Sequence, residues 1–338
     1  MLRPFTDPAV DLSGKSILVT GGTGSFGKNL VRELVTRHRP RKVIVFSRDE
    51  YRQSVMAVDF AAHTEVLRFF IGDVRDADRL EMAMRGVDVV VHAAALKHVT
   101  IAEYNPLECI RTNVGGAENV VRAALRANVG KVVALSTDKA ASPVNLYGAS
   151  KLASDKIFVA ANALAGRGGT IFSVVRYGNV VGSRGSIVPI FEKMIADGAR
   201  ELPITDERMT RFWITLEQGV AFVLSSLAMM QGGEIFVPRI PSMKVVDLVT
   251  ALAPGLPHRV IGIRPGEKLH EVMITEDDAR ATIALADRYV MLPAFEEHKR
   301  GTPLVGPRVD ERFRYASDTN DEWADAAMLR TMLKAPRG

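Results

Sequence analysis

TGGTGSFGK (Thr20–Lys28) decides the predicted fold, because it stands between an apolar β-branched run, SILVT (Ser16–Thr20), and a helical pattern. Gly21, Gly24 and Gly27 have the spacing G-x-x-G-x-x-G. Glycines let a backbone turn sharply and approach a pyrophosphate, and the start of the following helix adds partial positive charge. A glycine triplet alone can be only a tight turn. Between a strand and a helix, it predicts a dinucleotide-binding site.

The first half of the chain alternates between short apolar runs and helical patterns. Strands that are apolar along nearly their whole length are typical of a parallel sheet covered by helices on both faces. We therefore predict an α/β fold, a Rossmann-like doubly wound parallel sheet. Its predicted strands are SILVT, KVIVFS (Lys42–Ser47), LRFFIGD (Leu67–Asp73), DVVVHAAA (Asp88–Ala95), KVVALST (Lys131–Thr137) and FSVVRYGNV (Phe172–Val180).

The pattern changes after about Ser183, where prolines and charges increase and long apolar runs become rare. Thr215 and Gln218 have the spacing of a capping box for the helix that follows. GEIFVP (Gly233–Pro238) is apolar enough to return to the main sheet. The predicted domains are residues 1–183 plus about 212–239 for the dinucleotide and, for the substrate, a smaller discontinuous α/β lobe of about 184–211 plus 240–338.

The composition narrows the class of ligand. Hydrophobic residues make up 47% and charged residues 25% of the 338, as in ordinary globular proteins. The single Cys109 excludes an internal disulfide, and the seven histidines lack metal-site spacing, so we predict no metal.

The formal charge of +5 comes from scattered Lys and Arg, which suit a phosphate-bearing small ligand better than nucleic acid. No apolar stretch is long enough for a signal peptide or a membrane span, so we expect a cytoplasmic protein.

The end of the second predicted strand indicates which dinucleotide binds. An NAD site usually has an acidic residue there, about 20 residues after the glycines, to bind the ribose hydroxyls. This chain has Ser47 and Arg48, whose hydroxyl and guanidinium groups suit the 2′-phosphate of NADP, and we predict NADP. Asp49 follows and leaves NAD open. Asp73, at the end of the third strand, is expected near the adenine or, alternatively, at a helix N-cap.

A second group of polar residues follows the fifth predicted strand. Tyr147 and Lys151 are four residues apart, so they share one face of a helix. A cation beside a phenol favours the phenolate, which is the base that alcohol oxidation needs. Thr137 supplies a hydroxyl group to hold the substrate. Asp138 and Lys139 come next, and they add an acid and a base that simple oxidation does not require.

The glycine spacing, Thr137 and Tyr147-x-x-x-Lys151 together resemble the short-chain dehydrogenase/reductase superfamily. The second lobe resembles the extended branch, which acts on nucleotide sugars. Further stretches are similar to the inverting UDP-N-acetylglucosamine 4,6-dehydratases, which begin pseudaminic acid synthesis, and the resemblance covers roughly residues 12–275. These stretches are FSRDE, FFIGDVRD, HAAALKHV, AEYNPLECI, STDKAA, RYGNVVGSRGS, LPITDERMTRFWITL, GGEIFVP and GIRPGEKLHEVM.

The resemblance implies a reaction in three stages. Tyr147 takes the proton of the sugar 4-hydroxyl while hydride passes from carbon 4 to NADP. Lys139 removes the proton from carbon 5, which the new ketone has acidified, and Asp138 protonates the departing 6-hydroxyl. Hydride then returns to carbon 6, and carbon 5 is reprotonated on its opposite face. These roles require a lowered pKa at Lys139, with Lys151 as a neighbouring cation, and a raised pKa at Asp138. The alternative is a surface salt bridge between Asp138 and Lys139.

The resemblance also implies the ligand contacts and a homo-oligomer. Guanidinium groups pair bidentately with phosphate, so arginines suit the diphosphate of UDP-N-acetylglucosamine. The predicted catalytic residues are Thr137, Asp138, Lys139, Tyr147 and Lys151. The predicted NADP contacts are Gly21, Thr23, Gly24, Ser25, Phe26, Gly27, Ser47, Arg48, Arg52, Asp73, Val74, Ala93, Ala94, Ala95, Thr112, Leu135, Ser136, Tyr147 and Lys151. The predicted substrate contacts are Lys97, Asn179, Val180, Arg184, Thr205, Arg211, Arg264 and Glu267.

Three other functions stay open from the sequence. A nucleotide-sugar 4-epimerase would share everything except the Asp138–Lys139 pair. A retaining 4,6-dehydratase would differ in the configuration at carbon 5, which no residue pattern encodes. A non-catalytic dinucleotide sensor would have the same fold, but it has no need to hold Tyr147, Lys151 and the Asp138–Lys139 pair together.

Overall fold

Strands and helices alternate through the first half of the chain in the structure, a computed structural model that describes residues 2–166, 168–183, 185–295, 298 and 302–335. The strands are β1 (Ser16–Thr20), β2 (Lys42–Ser47), β3 (Leu67–Ile71), β4 (Val89–His92), β5 (Lys131–Thr137), β6 (Ile171–Tyr177), β7 (Asn179–Val180), β8 (Leu202–Ile204), β9 (Thr210–Ile214), β10 (Ile235–Pro238), β11 (Ser242–Lys244), β12 (His258–Val260), β13 (Val272–Ile274), β14 (Thr282–Ala284), β15 (Arg288–Met291) and β16 (Tyr315–Ala316). The helices are α1 (Ser25–Arg37), α2 (Glu50–Asp59), α3 (Ala77–Met84), α4 (Val99–Tyr104), α5 (Pro106–Ile110), α6 (Gly116–Arg126), α7 (Leu146–Leu164), α8 (Ile187–Ala196), α9 (Leu216–Met229), α10 (Val245–Leu252), α11 (Glu276–Ala279) and α12 (Ala326–Lys334).

The main sheet confirms the predicted Rossmann-like doubly wound fold. Within the described residues it has nine strands, in the order β14-β15-β10-β6-β5-β4-β1-β2-β3. Neighbouring strands from β3 to β10 run parallel, whereas β15 runs antiparallel to both β10 and β14. The chain order reverses between β1 and β4. Ligands of such sheets bind at this reversal, beyond the carboxyl ends of the strands.

Burial on both faces holds the ends of these strands in place. Every residue of β1 and of β4 is buried, as their apolar sequences predict. On α1, Leu30 and Leu34 are fully buried, while Phe26 is partly buried and stacks on Tyr177 with ring centroids 6.4 Å apart. The loop between β1 and α1 is therefore fixed at both ends by the core.

A smaller group of elements packs beside the main sheet. It contains the short sheets β11-β9-β7, β12-β8 and β13-β16. An apolar cluster formed by Val188, Trp213, Leu248 and Leu329 joins α8, β9, α10 and α12. The reactive groups described below are shared between these elements and the main sheet.

The chain crosses between the two parts more often than the predicted division has it. β10, the predicted GEIFVP strand, lies beside β6, and the predicted capping box at Thr215 and Gln218 is present at the start of α9. However, β14 and β15 also join the main sheet, although residues 240–338 were assigned to the smaller lobe. β9 spans the predicted boundary at residue 211. The exact domain limits stay a prediction.

Candidate active site

Two glycines of the loop stand where an added side chain would clash with the backbone. Gly21 has φ +65°, and a Cβ there would lie 2.9 Å from the backbone nitrogen of Ala94. A Cβ on Gly27 would lie 2.5 Å from Cα of Gly22. Gly24 precedes α1 and provides no side chain to cap its first N–H groups. Uncapped N–H groups beside an accessible backbone fit the pyrophosphate of a dinucleotide.

The ends of β1 and β4 fix the backbone opposite this loop. Thr20 Oγ1 accepts hydrogen bonds from the backbone N–H groups of Ala93 (3.1 Å) and Ala94 (3.2 Å), and it lies 2.8 Å from His92 Nδ1. Burial, with a smaller effect from the charge of Lys151, lowers the pKa of His92 to about 3, so the imidazole is neutral. The predicted cofactor contacts Ala93 and Ala94 are therefore rigidly placed at the sheet reversal.

Thr112 lies in a π-helical turn near the same edge of the sheet. It is buried, and its Oγ1 has no hydrogen-bond partner among the residues that the structure describes. Its neighbour Asn113 donates to Ser150 Oγ at 2.9 Å and exchanges hydrogen bonds with the backbone of Leu96. An unsatisfied buried hydroxyl fits a site that holds a ligand. Among the other predicted cofactor contacts, Thr23, Val74 and Ser136 are buried, and Ser25, Ala95 and Leu135 are partly buried.

Arg48 and Asp49, the two residues after β2 that bear on the choice between NADP and NAD, have different contacts. Asp49 is the N-cap of α2: its carboxylate accepts from the backbone N–H of Arg52 at 2.9 Å and lies 3.2 Å from the guanidinium of Arg52. Arg48 is exposed and lies 3.8 Å from Asp73. Ser47 is buried at the end of the strand. The acidic group that left NAD open is thus engaged in capping a helix.

Asp73 pairs with Arg75 and does not cap a helix. The N-cap of α3 is Asp76, which accepts from the backbone N–H of Arg79 at 2.9 Å, so the capping alternative for Asp73 is wrong. The guanidinium of Arg75 donates to Asp73 at 2.7 and 3.0 Å. Burial acts to raise the pKa of Asp73, but the hydrogen bonds from Arg75 outweigh it and lower the pKa. An ionised carboxylate therefore stands at the end of β3.

α7 carries Tyr147 and Lys151 one turn apart, as predicted. Lys151 is buried, and burial lowers its pKa. Burial also raises the pKa of Tyr147 to about 12, against the opposing effects of Lys139 and of a hydrogen bond with Thr137. Tyr147 is therefore a phenol in this structure, and not the phenolate that Lys151 was expected to favour.

Asp138 and Lys139 form a buried pair immediately after β5. Asp138 is fully buried, and its Oδ1 accepts hydrogen bonds from Thr137 Oγ1 at 2.9 Å and from Lys139 Nζ at 3.0 Å. Its Oδ2 has no hydrogen-bond partner within the described ranges. Only 22% of the Lys139 side chain is exposed. This burial differs from the surface salt bridge considered as the alternative.

The pKa of Asp138 is shifted in the predicted direction, whereas the pKa of Lys139 is not. Burial raises the pKa of Asp138, as its predicted role as an acid requires. At Lys139, burial acts to lower the pKa, but the charges of Asp138 and Glu271 outweigh it and raise the pKa. The prediction of a lowered pKa at Lys139 is therefore wrong for this structure. Arg211, rather than Lys151, is the nearby cation that opposes the increase.

Two charged residues near the pair were missed by the sequence reasoning. Glu271 Oε1 lies 3.1 Å from Lys139 Nζ, and Lys268 Nζ donates to the backbone carbonyl of Ala141 at 2.6 Å. Both stand in GIRPGEKLHEVM, from which only Arg264 and Glu267 were selected. The density of charges in that stretch was a signal, but its spacing does not show which side chains face β5.

Asn179 contacts the Asp138–Lys139 pair, whereas Arg211 forms hydrogen bonds with backbone carbonyls. Asn179 accepts from Lys139 Nζ at 3.3 Å. The buried guanidinium of Arg211 donates to the backbone carbonyls of Thr210, Leu269 and Lys268 at 2.7, 3.1 and 2.9 Å. Binding of a diphosphate by Arg211 would exchange these hydrogen bonds, and that role stays a prediction.

The remaining predicted substrate contacts that the structure describes are exposed or partly buried. Arg264 is exposed and lies 3.8 Å from Glu267. Thr205 and Val180 are partly buried, and Lys97 is exposed between β4 and α4. Arg184 lies outside the described residues. Within those residues, no group of three or more His, Cys, Asp or Glu side chains could hold a metal ion.

Sequence comparisons identify close relatives of this chain. The family described as "Polysaccharide biosynthesis protein" matches residues 17–293. A Campylobacter jejuni protein named UDP-N-acetylglucosamine 4,6-dehydratase (inverting) is 54% identical over 333 residues, which cover 96% of this chain and 99% of that protein. A Rickettsia canadensis protein named UDP-glucose 4-epimerase is 41% identical over 282 residues, covering 81% and 82% of the two chains. The resemblance drawn from the motifs is confirmed.

Solved structures with the same fold include nucleotide-sugar enzymes. The X-ray structure of Pen from Bacillus thuringiensis has a TM-score of 0.85 and 33% identity, and the match covers 96% of this chain and 99% of Pen. DesIV, a dTDP-glucose 4,6-dehydratase from Streptomyces venezuelae with NAD and TYD bound, has a TM-score of 0.66 and 29% identity over 75% of this chain and 86% of DesIV. In the part of this chain that the structure describes, no helix is both long and apolar enough to cross a membrane.

Gly21→Ala should abolish dinucleotide binding, because the new Cβ would strike the backbone at Ala94, 2.9 Å away, and deform the loop. Gly86→Ala is a matched control: its φ is +68°, and no atom lies within 4 Å of the added Cβ. Gly86→Ala should lose about 1–2 kcal/mol of unfolding free energy from its left-handed conformation, and Gly21→Ala should lose more because of the added backbone contact. Only Gly21→Ala should lose affinity for dinucleotide in calorimetric titration. Equal affinities in the two variants would contradict the placement of the cofactor at this loop.

Proposed function

We propose that this chain, which belongs to the polysaccharide biosynthesis protein family, catalyses the 4,6-dehydration of UDP-N-acetylglucosamine with inversion at carbon 5. The observation that carries the proposal is the buried Asp138–Lys139 pair beside Tyr147, since oxidation alone needs no second acid and base. The names of the Campylobacter relatives agree with this substrate. The product would be a UDP-2-acetamido-2,6-dideoxy-4-keto-hexose of L-arabino configuration, at the start of pseudaminic acid-type glycan synthesis. The cytoplasmic location and the homo-oligomer stay predictions.

Tyr147 is the proposed base for the 4-hydroxyl: the phenol of this structure would first lose its proton to solvent, and the phenolate would then accept the proton of the 4-hydroxyl. The positive charge of an oxidised nicotinamide would favour that ionisation. The hydroxyl of Thr137 at the end of β5 acts to lower the pKa of Tyr147. Bound NADP would supply the site with an acceptor for the hydride of carbon 4 and a donor of hydride to carbon 6. The glycine loop, Thr112 and the buried Lys151 would hold NADP. The dinucleotide is regenerated in each cycle, so it stays bound.

The Asp138–Lys139 pair provides both the base and the acid of the elimination, because its two members share one proton. In the resting ion pair, the proton lies on Lys139, 3.0 Å from the Asp138 carboxylate. Its transfer along this hydrogen bond gives a neutral amine and a neutral carboxyl group, and burial favours both neutral forms. Lys139 then takes the carbon-5 proton, and Asp138 gives its proton to the departing 6-hydroxyl, which leaves as water. These two transfers restore the resting ion pair, so a raised pKa at Lys139 is compatible with its role as a base. Carbon 5 then takes a new proton from solvent on its opposite face as carbon 6 gains hydride, which inverts carbon 5.

Replacement of Lys139 and of Tyr147 should stop the reaction at different stages. A positioned acid or base contributes about 10²–10⁴ in rate, so Lys139→Met and Tyr147→Phe should both nearly abolish product. Lys139→Met should still transfer the first hydride, and reduced-nicotinamide absorbance should accumulate in a single turnover. Tyr147→Phe should show almost none. Product formation by Lys139→Met at a rate near that of the wild type would assign the base to another residue.

Arg48 should select NADP, because it is exposed at the end of β2 while Asp49 caps α2. Arg48→Ala should weaken NADP binding by about tenfold or more, the value of a hydrogen bond to a charged group, and leave NAD binding almost unchanged. Arg37→Ala, at an exposed arginine at the end of α1, is the control and should change neither. The measurement is the affinity of the stripped protein for each dinucleotide, with identification of the nucleotide that copurifies. Recovery of NAD alone would contradict this choice.

A further inference from the structure

Lys139 Nζ is surrounded by three acceptors that come from three separate parts of the chain. Asp138 Oδ1 lies at 3.0 Å, Glu271 Oε1 at 3.1 Å and Asn179 Oδ1 at 3.3 Å. We call these four residues the lysine cluster. An ammonium group has three N–H donors, so all of them are engaged. The direction of the Lys139 side chain is therefore set by the cluster and not by packing alone.

Glu271 is rigidly held at the far side of this cluster. It is 1% exposed, its backbone N–H donates to Ser317 Oγ at 2.9 Å, and its carbonyl accepts from the backbone N–H of Ser317 at 2.8 Å. Its Oε2 has no hydrogen-bond partner among the described residues. A buried carboxylate is costly unless nearby charges balance it. Packing alone does not explain an acidic residue at this position.

Two cations stand behind Glu271. Arg211 Nε lies 3.8 Å from Glu271 Oε1, and Lys268 Nζ lies 3.9 Å from Glu271 Oε2. The hydrogen bonds from Arg211 to the carbonyls of Lys268 and Leu269 fix this arrangement. Glu271 is therefore placed between these two cations and the ammonium group of Lys139.

We propose that Glu271 is a positioning residue for the dehydration: it holds the ammonium group of Lys139 and carries the fixed negative charge of the lysine cluster. The inference rests on the proposed function, since Asp138 and Lys139 are the groups that Glu271 serves. Glu271 stays ionised, and the mobile proton is exchanged only between Asp138 and Lys139. No atom is gained or lost in that exchange.

The charges around the cluster support this division of roles. Burial raises the pKa of Asp138, and Glu271 adds to the increase. Burial acts to raise the pKa of Glu271 as well, but Lys139, Arg211 and Lys268 outweigh it and lower the pKa. Glu271 also raises the pKa of Lys139, against the effect of burial. Loss of its charge therefore lowers the pKa of both members of the pair. The charged and titratable groups that face the pair are Glu271 and Lys268 before β13, Arg211 on β9 and Tyr147 on α7.

Glu271→Gln keeps the size of the side chain and removes its charge. Both limbs of the pH profile of kcat should move to lower pH by about one unit, the usual effect of one close charge. The kcat at the optimum should fall, while KM for UDP-N-acetylglucosamine stays close to that of the wild type. Glu271→Asp keeps the charge on a shorter side chain. It should lower kcat without moving either limb of the profile.

Glu234→Gln is the matched control, because Glu234 is also a buried carboxylate but bonds to Ser173 and to the backbone of Gly232, away from the cluster. It should lower stability and leave the pH profile in place. An unmoved profile in Glu271→Gln, with an active wild type, overturns the inference. Should Glu271→Gln not fold, a wild-type kcat in Glu271→Asp overturns it as well. A wild type that forms no dehydrated product contradicts the proposed function instead.

Discussion

The hydrogen bond between Lys139 and Asp138 is the interaction on which the site depends. Moving an ammonium group and a carboxylate out of water is costly, and their attraction offsets that cost only when further hydrogen bonds complete the geometry. Thr137 and Asn179 supply such hydrogen bonds here, and Glu271 supplies a second negative charge. Burial also favours the neutral forms of an acid and of an amine. Transfer of the proton within the pair is therefore less unfavourable than it would be in water.

The architecture explains how groups that are distant in the chain meet at this pair. Parallel strands end at one edge of the sheet, so β5 places Asp138 beside the helix that carries Tyr147. The second group of elements supplies Asn179 on β7 and Glu271 before β13. Neither part holds a complete set of these residues. The repeated crossing of the chain between the two parts thus has a direct chemical consequence.

The sequence predicted those features that depend on neighbouring residues. The glycine spacing placed the loop, and the four-residue interval placed Tyr147 and Lys151 on one face of α7. The direction of the pKa shift at Lys139 was predicted wrongly, because the charges of Asp138 and Glu271 both raise that pKa. The sequence does not show that the adjacent Asp138 lies within hydrogen-bonding distance of Lys139 Nζ, or that the remote Glu271 reaches it. Arg211 was assigned to a diphosphate from the family resemblance, and the backbone carbonyls that it contacts here are brought near only by the folded chain. The crossing of β14 and β15 into the main sheet was likewise invisible in short strands without clear alternation.

Incubation of the purified protein with UDP-N-acetylglucosamine in heavy water, without added dinucleotide, tests the account most directly. The account predicts a product with one oxygen atom fewer than the substrate, as the loss of one water requires. Carbon 5 of this product should carry deuterium from the solvent and have the inverted configuration. Mass spectrometry and proton NMR of the product measure both properties. A product with the elemental composition of the substrate and an altered configuration at carbon 4 would identify an epimerase. It would contradict the proposed elimination by Asp138 and Lys139.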